Sequence, residues 1–266
     1  MFMKGAKYHM EGELIMASGL QEALALKNEY SAFFAGGTGI GYKDSGITGE
    51  KWILVPDVPG IREITNNDSQ IRIGALVTFS QALSHPDVPG YLRKALRFCG
   101  SLQKRNSATV GGNVASWRSD SYLIPTLIAC GAQICLEEKG ESSVIGIDRY
   151  AEERENYKDA LITAVIVKPE SGESSVRVRS KRWANTVESH AYLTIAMGRE
   201  KDAYRIGLAI KGCGIFLPDI TNWAVSWKKA DVKDDMFGSE EYKRYLTGTT
   251  LDTLYEKLSG EGGNES

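Results

Sequence analysis

The most informative part of this chain is a stretch of nine residues: Arg105-Asn106-Ser107-Ala108-Thr109-Val110-Gly111-Gly112-Asn113. Its two glycines carry no side chain that could shield their backbone N–H groups, and small polar residues flank the pair. Consecutive backbone N–H groups in such a turn form a nest that binds an anion. The stretch therefore offers unhindered backbone donors and two small polar side chains that suit an anionic group.

A second glycine-rich stretch comes earlier in the chain, at Ala35-Gly36-Gly37-Thr38-Gly39-Ile40. It is not a Walker A loop, because Lys43 lies one position too late and neither Ser nor Thr follows it. A Rossmann fingerprint would need a glycine in place of Tyr42, and a helix that residues 45–49 would break. From the residues alone, a nest for a diphosphate and a simple tight turn after a strand both remain open.

The two glycine stretches together favour a diphosphate bound between two subdomains, since both follow apolar segments and lie about seventy residues apart. A neutral nest would also explain how a dinucleotide binds a chain without a basic patch. Asp120, at the start of the next predicted helix, either caps that helix or accepts hydrogen bonds from ribose or ribityl hydroxyl groups. Both interpretations of Asp120 remain open at this point.

Composition excludes several classes of function. Lys and Arg number 32 and Asp and Glu 34, for a formal net charge of −2, whereas a nucleic-acid-binding domain usually carries a basic stripe. No apolar run reaches the ~20 residues that span a bilayer and no signal peptide is visible, so we expect a cytoplasmic protein without a membrane span. The four cysteines lack metal-ligand spacing. We expect His9, His85 and His190 at the surface or in packing, not as general bases.

The pattern of apolar residues changes near residue 170, where we place a domain boundary. Before it, helices alternate with short apolar strands such as 52–55 and 160–167. A capping box of Ser18 and Gln21 predicts a helix over 19–30. After the boundary, alternating residues predict three antiparallel strands, followed by a last helix. These strands are expected near 176–179, 192–197 and 204–210, and the last helix over 240–258.

Several stretches match the pattern of one protein family in the same order. Residues 35–38 are similar to its loop A-G-G-T-D-L, and residues 105–113 to its stretch R-N-x-A-T-I-G-G-N. Ser119-Asp120 resembles the start of its S-D-L-P-P-x-L-L-A-L, and residues 238–244 resemble its G-S-x-x-Y-R. In these motifs the chain resembles the FAD-binding flavin subunits of molybdenum hydroxylases, of the xanthine dehydrogenase and carbon monoxide dehydrogenase type.

The resemblance implies an α+β fold in two domains. Residues 1–170 would form a PCMH-type FAD-binding domain of two α/β subdomains, about 1–57 and 58–170. Residues 171–266 would form a C-terminal domain with a three-stranded antiparallel sheet and helices.

The resemblance also implies FAD as the cofactor and a set of FAD-contacting positions. In the family both glycine loops contact the FAD pyrophosphate through main-chain amides. Leu161 corresponds to a position near the flavin ring, Phe98 to an aromatic position, and Arg177 or Arg179 to a basic position. The FAD-contacting residues expected here are Ala35, Gly36, Gly37, Thr38, Gly39, Ile40, Phe98, Thr109, Gly111, Gly112, Asn113, Asp120, Leu161 and Arg177. No catalytic side chain and no metal ligand is expected.

By the same resemblance, the chain would be the electron-transfer subunit of a multi-subunit molybdenum hydroxylase. It would pass electrons from 2Fe-2S clusters on an iron–sulfur subunit, through FAD, to NAD or another acceptor. A large molybdopterin-binding subunit would complete the complex.

Two alternatives are a stand-alone FAD-dependent oxidoreductase of the same fold and a flavin-free assembly module. Gly39, where the family usually has Asp or Asn, and a short link between Asn113 and Asp120 favour the second. For the flavoprotein, we expect Gly111→Val to abolish FAD retention by crowding the amide nest.

Overall fold

The computed structural model describes residues 13–39, 51–138, 140–186 and 189–260. Within these residues the chain forms three β-sheets with helices between and around them. The first sheet contains β1 (Glu13–Met16), β2 (Ser31–Phe34) and β3 (Lys51–Leu54) in the order β1-β3-β2. Both pairs of neighbours are parallel, and helix α1 (Leu20–Leu26) connects β1 to β2.

Helix α1 is shorter than the sequence predicts, and it begins differently. The expected capping box is wrong, because the backbone N–H and the hydroxyl of Ser18 both donate to the carboxylate of Glu22. At the other end, the Asn28 side chain accepts from the N–H of Tyr30 at 2.9 Å, and Ser31 Oγ accepts from the N–H of Asn28 at 2.8 Å. Such side-chain bonds compete with helical ones and end the helix early.

The second sheet has five strands, and all of its neighbouring strands are antiparallel. Its order is β4-β5-β8-β6-β7. The strands are β4 (Ile64–Asn66), β5 (Ile71–Gly74), β6 (Gln133–Glu138), β7 (Glu141–Gly146) and β8 (Leu161–Val167). Five helices connect β5 to β6: α2 (Phe79–Ser84), α3 (Gly90–Arg97), α4 (Leu102–Ser107), α5 (Val110–Ser116) and α6 (Leu123–Ala129). Helix α7 (Ile147–Glu152) and a 3-10 turn (Arg154–Tyr157) precede β8.

The third sheet contains the three expected antiparallel strands, β9 (Arg177–Trp183), β10 (Leu193–Glu200) and β11 (Ala203–Ile210). The expected count of three needs a correction, because a fourth strand, β12 (Gly214–Phe216), pairs with the end of β11. Three residues are too few to show a recognisable alternation of apolar and polar side chains. The remaining helical segments are two 3-10 turns (Ile220–Asn222 and Trp227–Lys229), α8 (Trp223–Ser226) and α9 (Glu240–Gly260).

Buried apolar side chains form two clusters. One comes mainly from the first two sheets and helices α2 to α7, and the other from the third sheet and α9. The two regions meet where β10 and β11 pack on α6, so closely that a Cβ at Gly198 would lie 1.9 Å from the carbonyl oxygen of Ala129. This contact places the third sheet beside the segment that precedes α6. The domain boundary near residue 170 stays a prediction.

Candidate cofactor-binding cleft

A cleft of about 470 Å³ opens where the end of β2, the start of α5 and the segment before α6 meet. Its volume lies in the range typical of cofactor sites, roughly 300–1,000 Å³. Ile40 is outside the described residues. Phe98 and Arg177 do not line the cleft. The predicted residues that line it are Ala35, Gly36, Gly37, Thr38, Gly39, Thr109, Gly111, Gly112, Asn113, Asp120 and Leu161.

The first glycine loop offers backbone donors to this cleft. Among the described residues, no carbonyl accepts a hydrogen bond from the N–H groups of residues 36–39. Gly37 has φ +68°, a conformation that glycine adopts without strain and that turns the chain sharply after β2. A tight turn with unpaired amides is the arrangement of an anion-binding nest. Both open interpretations of this stretch, turn and nest, are therefore compatible with its geometry.

The second glycine stretch is built differently from the prediction. Gly111 and Gly112 lie in the first turn of α5, and their N–H groups donate to the carbonyl of Ala75 at 2.9 Å and to Thr109 Oγ1 at 3.2 Å. The prediction of two unpaired amides here is wrong, because the helix cap and the neighbouring β5–α2 link use them. What this stretch brings to the cleft is polar side chains, the Thr109 hydroxyl and the Asn113 amide, whose Oδ1 accepts from Ser121 Oγ at 3.0 Å.

Asp120 belongs to a cluster of charged groups on the cleft wall, not to a helix cap. Its carboxylate accepts two hydrogen bonds of 2.9 Å from Arg118, through Nε and Nη2. His190 Nδ1 lies 3.4 Å from the same carboxylate. Burial alone would raise the pKa of Asp120, but the hydrogen bonds and charge of Arg118 outweigh it, so the pKa lies below its usual value. The carboxylate is ionised at neutral pH and can accept further hydrogen bonds.

The cleft is more basic than the overall composition indicates. Five basic side chains line it, against three acidic ones, in a chain with a net charge of −2. The acidic residues are Glu29, Asp120 and Glu155, and the basic residues are Lys27, Lys104, Arg118, Arg154 and Lys158. The cleft thus differs from the neutral nest that the sequence predicts, because the fold collects basic residues that are scattered in the sequence. Such a cleft attracts an anionic ligand.

Phe98 packs beside the cleft, not in its lining. The Arg182 guanidinium lies 4.3 Å above the Phe98 ring and 5.4 Å from the Tyr122 ring, so the two rings share one cation. Arg177 opens β9 and pairs with Arg199 of β10 in the sheet register. Arg182, a basic residue after the predicted boundary, contacts the cleft wall through Tyr122, which lines the cleft.

Sequence reasoning missed several lining residues that can form polar contacts. Arg118 directly precedes Ser119-Asp120, the pair that resembles a family motif. This position next to the motif is the sequence signal that could have identified Arg118 as a lining residue. The contact of Tyr122 with Ser189 and that of His190 with Asp120 join residues that are far apart in the sequence, so neither contact could be predicted from a local pattern. Cys99 also lines the cleft, and burial raises the pKa of its thiol to about 12, which keeps it neutral.

Comparison with known proteins identifies the family. The FAD binding domain in molybdopterin dehydrogenase matches residues 8–169, more than half of the chain. The chain belongs to this family. The cofactor of this FAD-binding chain is therefore FAD, and its family is one of oxidoreductases, as the resemblance implied. Among the described residues, no helix is long and apolar enough to cross a membrane.

Two relatives of this FAD-binding chain show how far the likeness extends. It is 25% identical over 255 residues to the uncharacterized protein YgfM of Escherichia coli K12, covering 91% of this chain and 95% of that protein. It is 32% identical over 128 residues to the nicotinate dehydrogenase FAD-subunit of Eubacterium barkeri, covering 44% of this chain and 43% of that protein.

Solved structures share the fold. A chain of the carbon monoxide dehydrogenase from Hydrogenophaga pseudoflava superposes with a TM-score of 0.79 at 18% identity, covering 92% of this chain and 96% of that chain. A chain of quinoline 2-oxidoreductase from Pseudomonas putida 86 superposes with a TM-score of 0.75 at 14% identity. This match also covers 92% of this chain and 96% of that chain. At such low identities the likeness concerns the fold alone, and it confirms the predicted α+β class.

The cleft contains the types of chemical group that FAD needs for binding. The diphosphate needs N–H donors and nearby positive charge, which residues 36–39 and the basic side chains can supply. The ribityl and ribose hydroxyl groups need polar acceptors such as the Asp120 carboxylate. Apolar side chains on the wall, among them Phe33, Leu76 and Leu161, suit a flat aromatic ring system.

Proposed function

We propose that this chain is the FAD-bearing electron-transfer subunit of a molybdenum hydroxylase and that FAD binds in the cleft described above. The loop of residues 36–39 carries this proposal, since it lines a cleft that also holds five basic side chains, and no carbonyl among the described residues accepts from its N–H groups. In the proposed complex the FAD diphosphate accepts hydrogen bonds from this loop. The basic side chains of the cleft favour the binding of this anionic group.

The other contacts follow from where the lining groups lie. Thr109 and Asn113 present a hydroxyl and an amide opposite the first loop, and Asp120 presents an ionised carboxylate to hydroxyl groups. Leu161, at the start of β8, is 3% exposed and gives the wall an apolar surface for the ring system. The proposed FAD contacts thus retain all predicted residues that line the cleft, whereas Phe98 and Arg177 act by packing and sheet pairing.

When bound, FAD supplies the redox chemistry, because flavins accept and release electrons either singly or in pairs. The chain's own residues bind the cofactor, orient it and shield it from water. No histidine–nucleophile pair is needed for that task. We infer that electrons enter from iron–sulfur clusters on a partner chain and leave to NAD or another acceptor.

The proposed partners are an iron–sulfur subunit and a large molybdopterin-binding subunit. Among the described residues, no group of three or more His, Cys, Asp or Glu side chains converges as metal ligands would, which supports metal centres on other chains. The name of the Eubacterium barkeri relative, a FAD-subunit, is that of one part of a larger enzyme. All four cysteines carry free thiols, which supports a reducing compartment such as the cytoplasm.

We also propose the division of the chain into a FAD-binding domain, residues 1–170, and a C-terminal domain, residues 171–266. The separation of the two buried clusters supports it. In this arrangement the C-terminal domain contributes to the cleft through His190. Limited proteolysis near residue 170, followed by mass spectrometry of the fragments, tests the division.

Purification of the full chain, alone and from its native host with associated proteins, tests the function. We expect flavin absorption with one FAD per chain and co-purification of an iron–sulfur protein and a molybdopterin protein. A chain that never binds FAD would support the assembly module instead. A chain that oxidises a substrate with FAD and without partners would support the stand-alone oxidoreductase.

A further inference from the structure

Three lysines from separate elements form an exposed basic patch. Lys94 lies on α3, Lys181 on β9 and Lys257 in the last turn of α9, and all three residues are exposed. Lys94 Nζ donates to the carbonyl of Ser180 at 2.8 Å, which holds α3 against β9. We call Lys94, Lys181 and Lys257 the basic patch.

The positive charges of the basic patch act on one another. Partial burial lowers the pKa of Lys94, and the charges of Arg179, Lys181 and Lys257 lower it further. These side chains therefore lie within the range of mutual repulsion. Such repulsion costs free energy in the isolated chain, and negative charges brought to the patch by another molecule would offset it.

No carboxylate of the chain offsets the charges of the basic patch. Among the described residues, no lysine of the patch forms an ion pair with Asp or Glu. Basic side chains elsewhere do form such pairs: Lys27 Nζ lies 2.9 Å from Asp159. Lys243 Nζ lies 2.7 Å from Asp235. Since the chain has a net charge of −2, the patch does not follow from a general excess of basic residues.

Two elements connect the basic patch to the cleft. Helix α3, which carries Lys94, is followed closely by Cys99, and Cys99 lines the cleft. On β9, the residue after Lys181 is Arg182, whose guanidinium lies 5.4 Å from the ring of Tyr122, another lining residue. A partner chain bound at the patch would thus contact the elements that support the wall of the proposed FAD site.

We propose that the basic patch is a docking surface for an acidic face of the iron–sulfur subunit. The inference rests on the proposed function, which requires such a partner close to the flavin. Positive side chains that lack carboxylates on one chain are complementary to carboxylates on another, and such complementarity steers association and fixes the register of a complex. Because the three lysines are spread over three elements of an exposed face, they suit a protein surface.

The experiment isolates the tagged full chain from its native host and measures the ratio of iron to FAD in the complex that comes with it. The test variant combines Lys94→Glu and Lys181→Glu, and we expect its iron-to-FAD ratio to fall at least about fivefold. The matched control combines Lys228→Glu and Lys229→Glu, which makes the same change of charge at two exposed residues of another segment and should keep the wild-type ratio. Neither variant should change the FAD content per chain, because none of these lysines lines the cleft.

Two further measurements do not depend on the folding of the double variant. Among the described residues, the Lys257 side chain makes no hydrogen bond or ion pair, so Lys257→Glu should fold as the wild type does and lower the iron-to-FAD ratio about two- to threefold. In the wild-type complex, a zero-length carbodiimide cross-linker should join lysines of the basic patch to carboxylates of the iron–sulfur subunit. Mass spectrometry of the cross-linked peptides identifies both partners.

An iron-to-FAD ratio that stays at the wild-type value in the double variant and in Lys257→Glu would overturn the inference. It would also be overturned if the basic patch cross-links to no other protein, or only to a second copy of this chain. If the FAD-bearing chain never brings iron with it, the proposed function fails as well. That result differs from a complex that forms without the patch, which removes this inference alone.

Discussion

The carbonyl oxygen of Ser107 lies so close to the α-carbon of Gly36 that a Cβ at position 36 would be 1.7 Å from it. Real Cβ atoms do not approach another heavy atom within 3.0 Å, so the first loop and the end of α4 meet here only because residue 36 is glycine. This contact joins the loop after β2 to the segment that leads into α5. It therefore sets the distance between the two glycine stretches of the cleft.

Gly36→Ala tests that contact. The methyl group would push two backbones apart, so we expect the free energy of unfolding to fall by about 1–3 kcal/mol and FAD retention to be lost. Urea denaturation and the flavin content of the purified protein measure the two effects. Gly260→Ala, at a position where a Cβ meets nothing within 4 Å, should change the free energy of unfolding by less than about 0.5 kcal/mol. Wild-type flavin content in Gly36→Ala would contradict the role of this contact.

The paired glycines of α5 should respond differently to the same substitution. A Cβ at Gly111 would lie 2.5 Å from the Cβ of Ala75, so Gly111→Ala should destabilise the fold by about 1–3 kcal/mol. A Cβ at Gly112 would lie 2.8 Å from the hydroxyl of Thr109, a side-chain atom that can rotate away.

We therefore expect Gly112→Ala to unfold at nearly the wild-type urea concentration but to weaken FAD binding about tenfold, or about 1.4 kcal/mol, by filling space between the two loops. Parallel denaturation and FAD titration of the two variants provide the comparison. The expected effect of Gly111→Val thus keeps its direction, but its cause is the contact with Ala75, not a crowded nest. Equal losses of stability in the two alanine variants would count against this distinction.

Asp120→Asn should lower stability in a pH-dependent manner. The folded-state pKa of Asp120 is below its usual value, so its ionised form stabilises the protein at pH values above about 3.9, and this contribution is lost as the pH falls through the folded-state pKa. Removing the charge leaves Arg118 largely buried, so we expect a loss of about 2–4 kcal/mol at neutral pH.

Urea denaturation from neutral to acidic pH should show the difference from wild type shrinking below about pH 4. The control is Asp57→Asn, which breaks an exposed pair with Arg62, where the carboxylate is 74% exposed, and should cost less than about 1 kcal/mol. A pH-independent loss of stability in Asp120→Asn would exclude ionisation of this carboxylate as the cause.

Phe98→Leu distinguishes packing from cofactor contact. The variant removes the ring on which Arg182 stacks, so we expect the free energy of unfolding to fall by about 1–2 kcal/mol. Since Phe98 does not line the cleft, the FAD content should match that of the wild type. Loss of FAD from a folded Phe98→Leu variant would instead favour the direct contact that the resemblance implies.

The sequence predicted much of the fold because its signals are local. Short apolar strands such as β3 and β8 stand out from their neighbours, and the alternation in β9 to β11 identifies antiparallel strands. Helix α1 and strand β12 were predicted less well. Side-chain bonds at Asn28 shorten the helix, and β12 exists only because β11 offers a free edge for pairing.

The family motifs located the cleft, since most of the residues they mark line it. The motifs did not distinguish backbone N–H groups that are open to a ligand from those that already donate a hydrogen bond within the fold. Gly36 and Gly111 look equivalent in sequence, yet Gly36 is needed where two backbones meet, whereas Gly111 packs against Ala75, whose carbonyl accepts a hydrogen bond from the Gly111 N–H. Hydrogen-bond partners of this kind lie far away along the chain and leave no local pattern.

The sequence by itself determined the α+β class, the two glycine stretches and the family, because these follow from local patterns of residues. Only the tertiary structure decided which charges lie together. It gathers five basic side chains in an acidic chain, pairs Asp120 with Arg118 and brings His190 from another part of the chain to the same carboxylate. The reason is physical: electrostatic interactions depend on distance in space, and packing of the third sheet on α6 sets those distances.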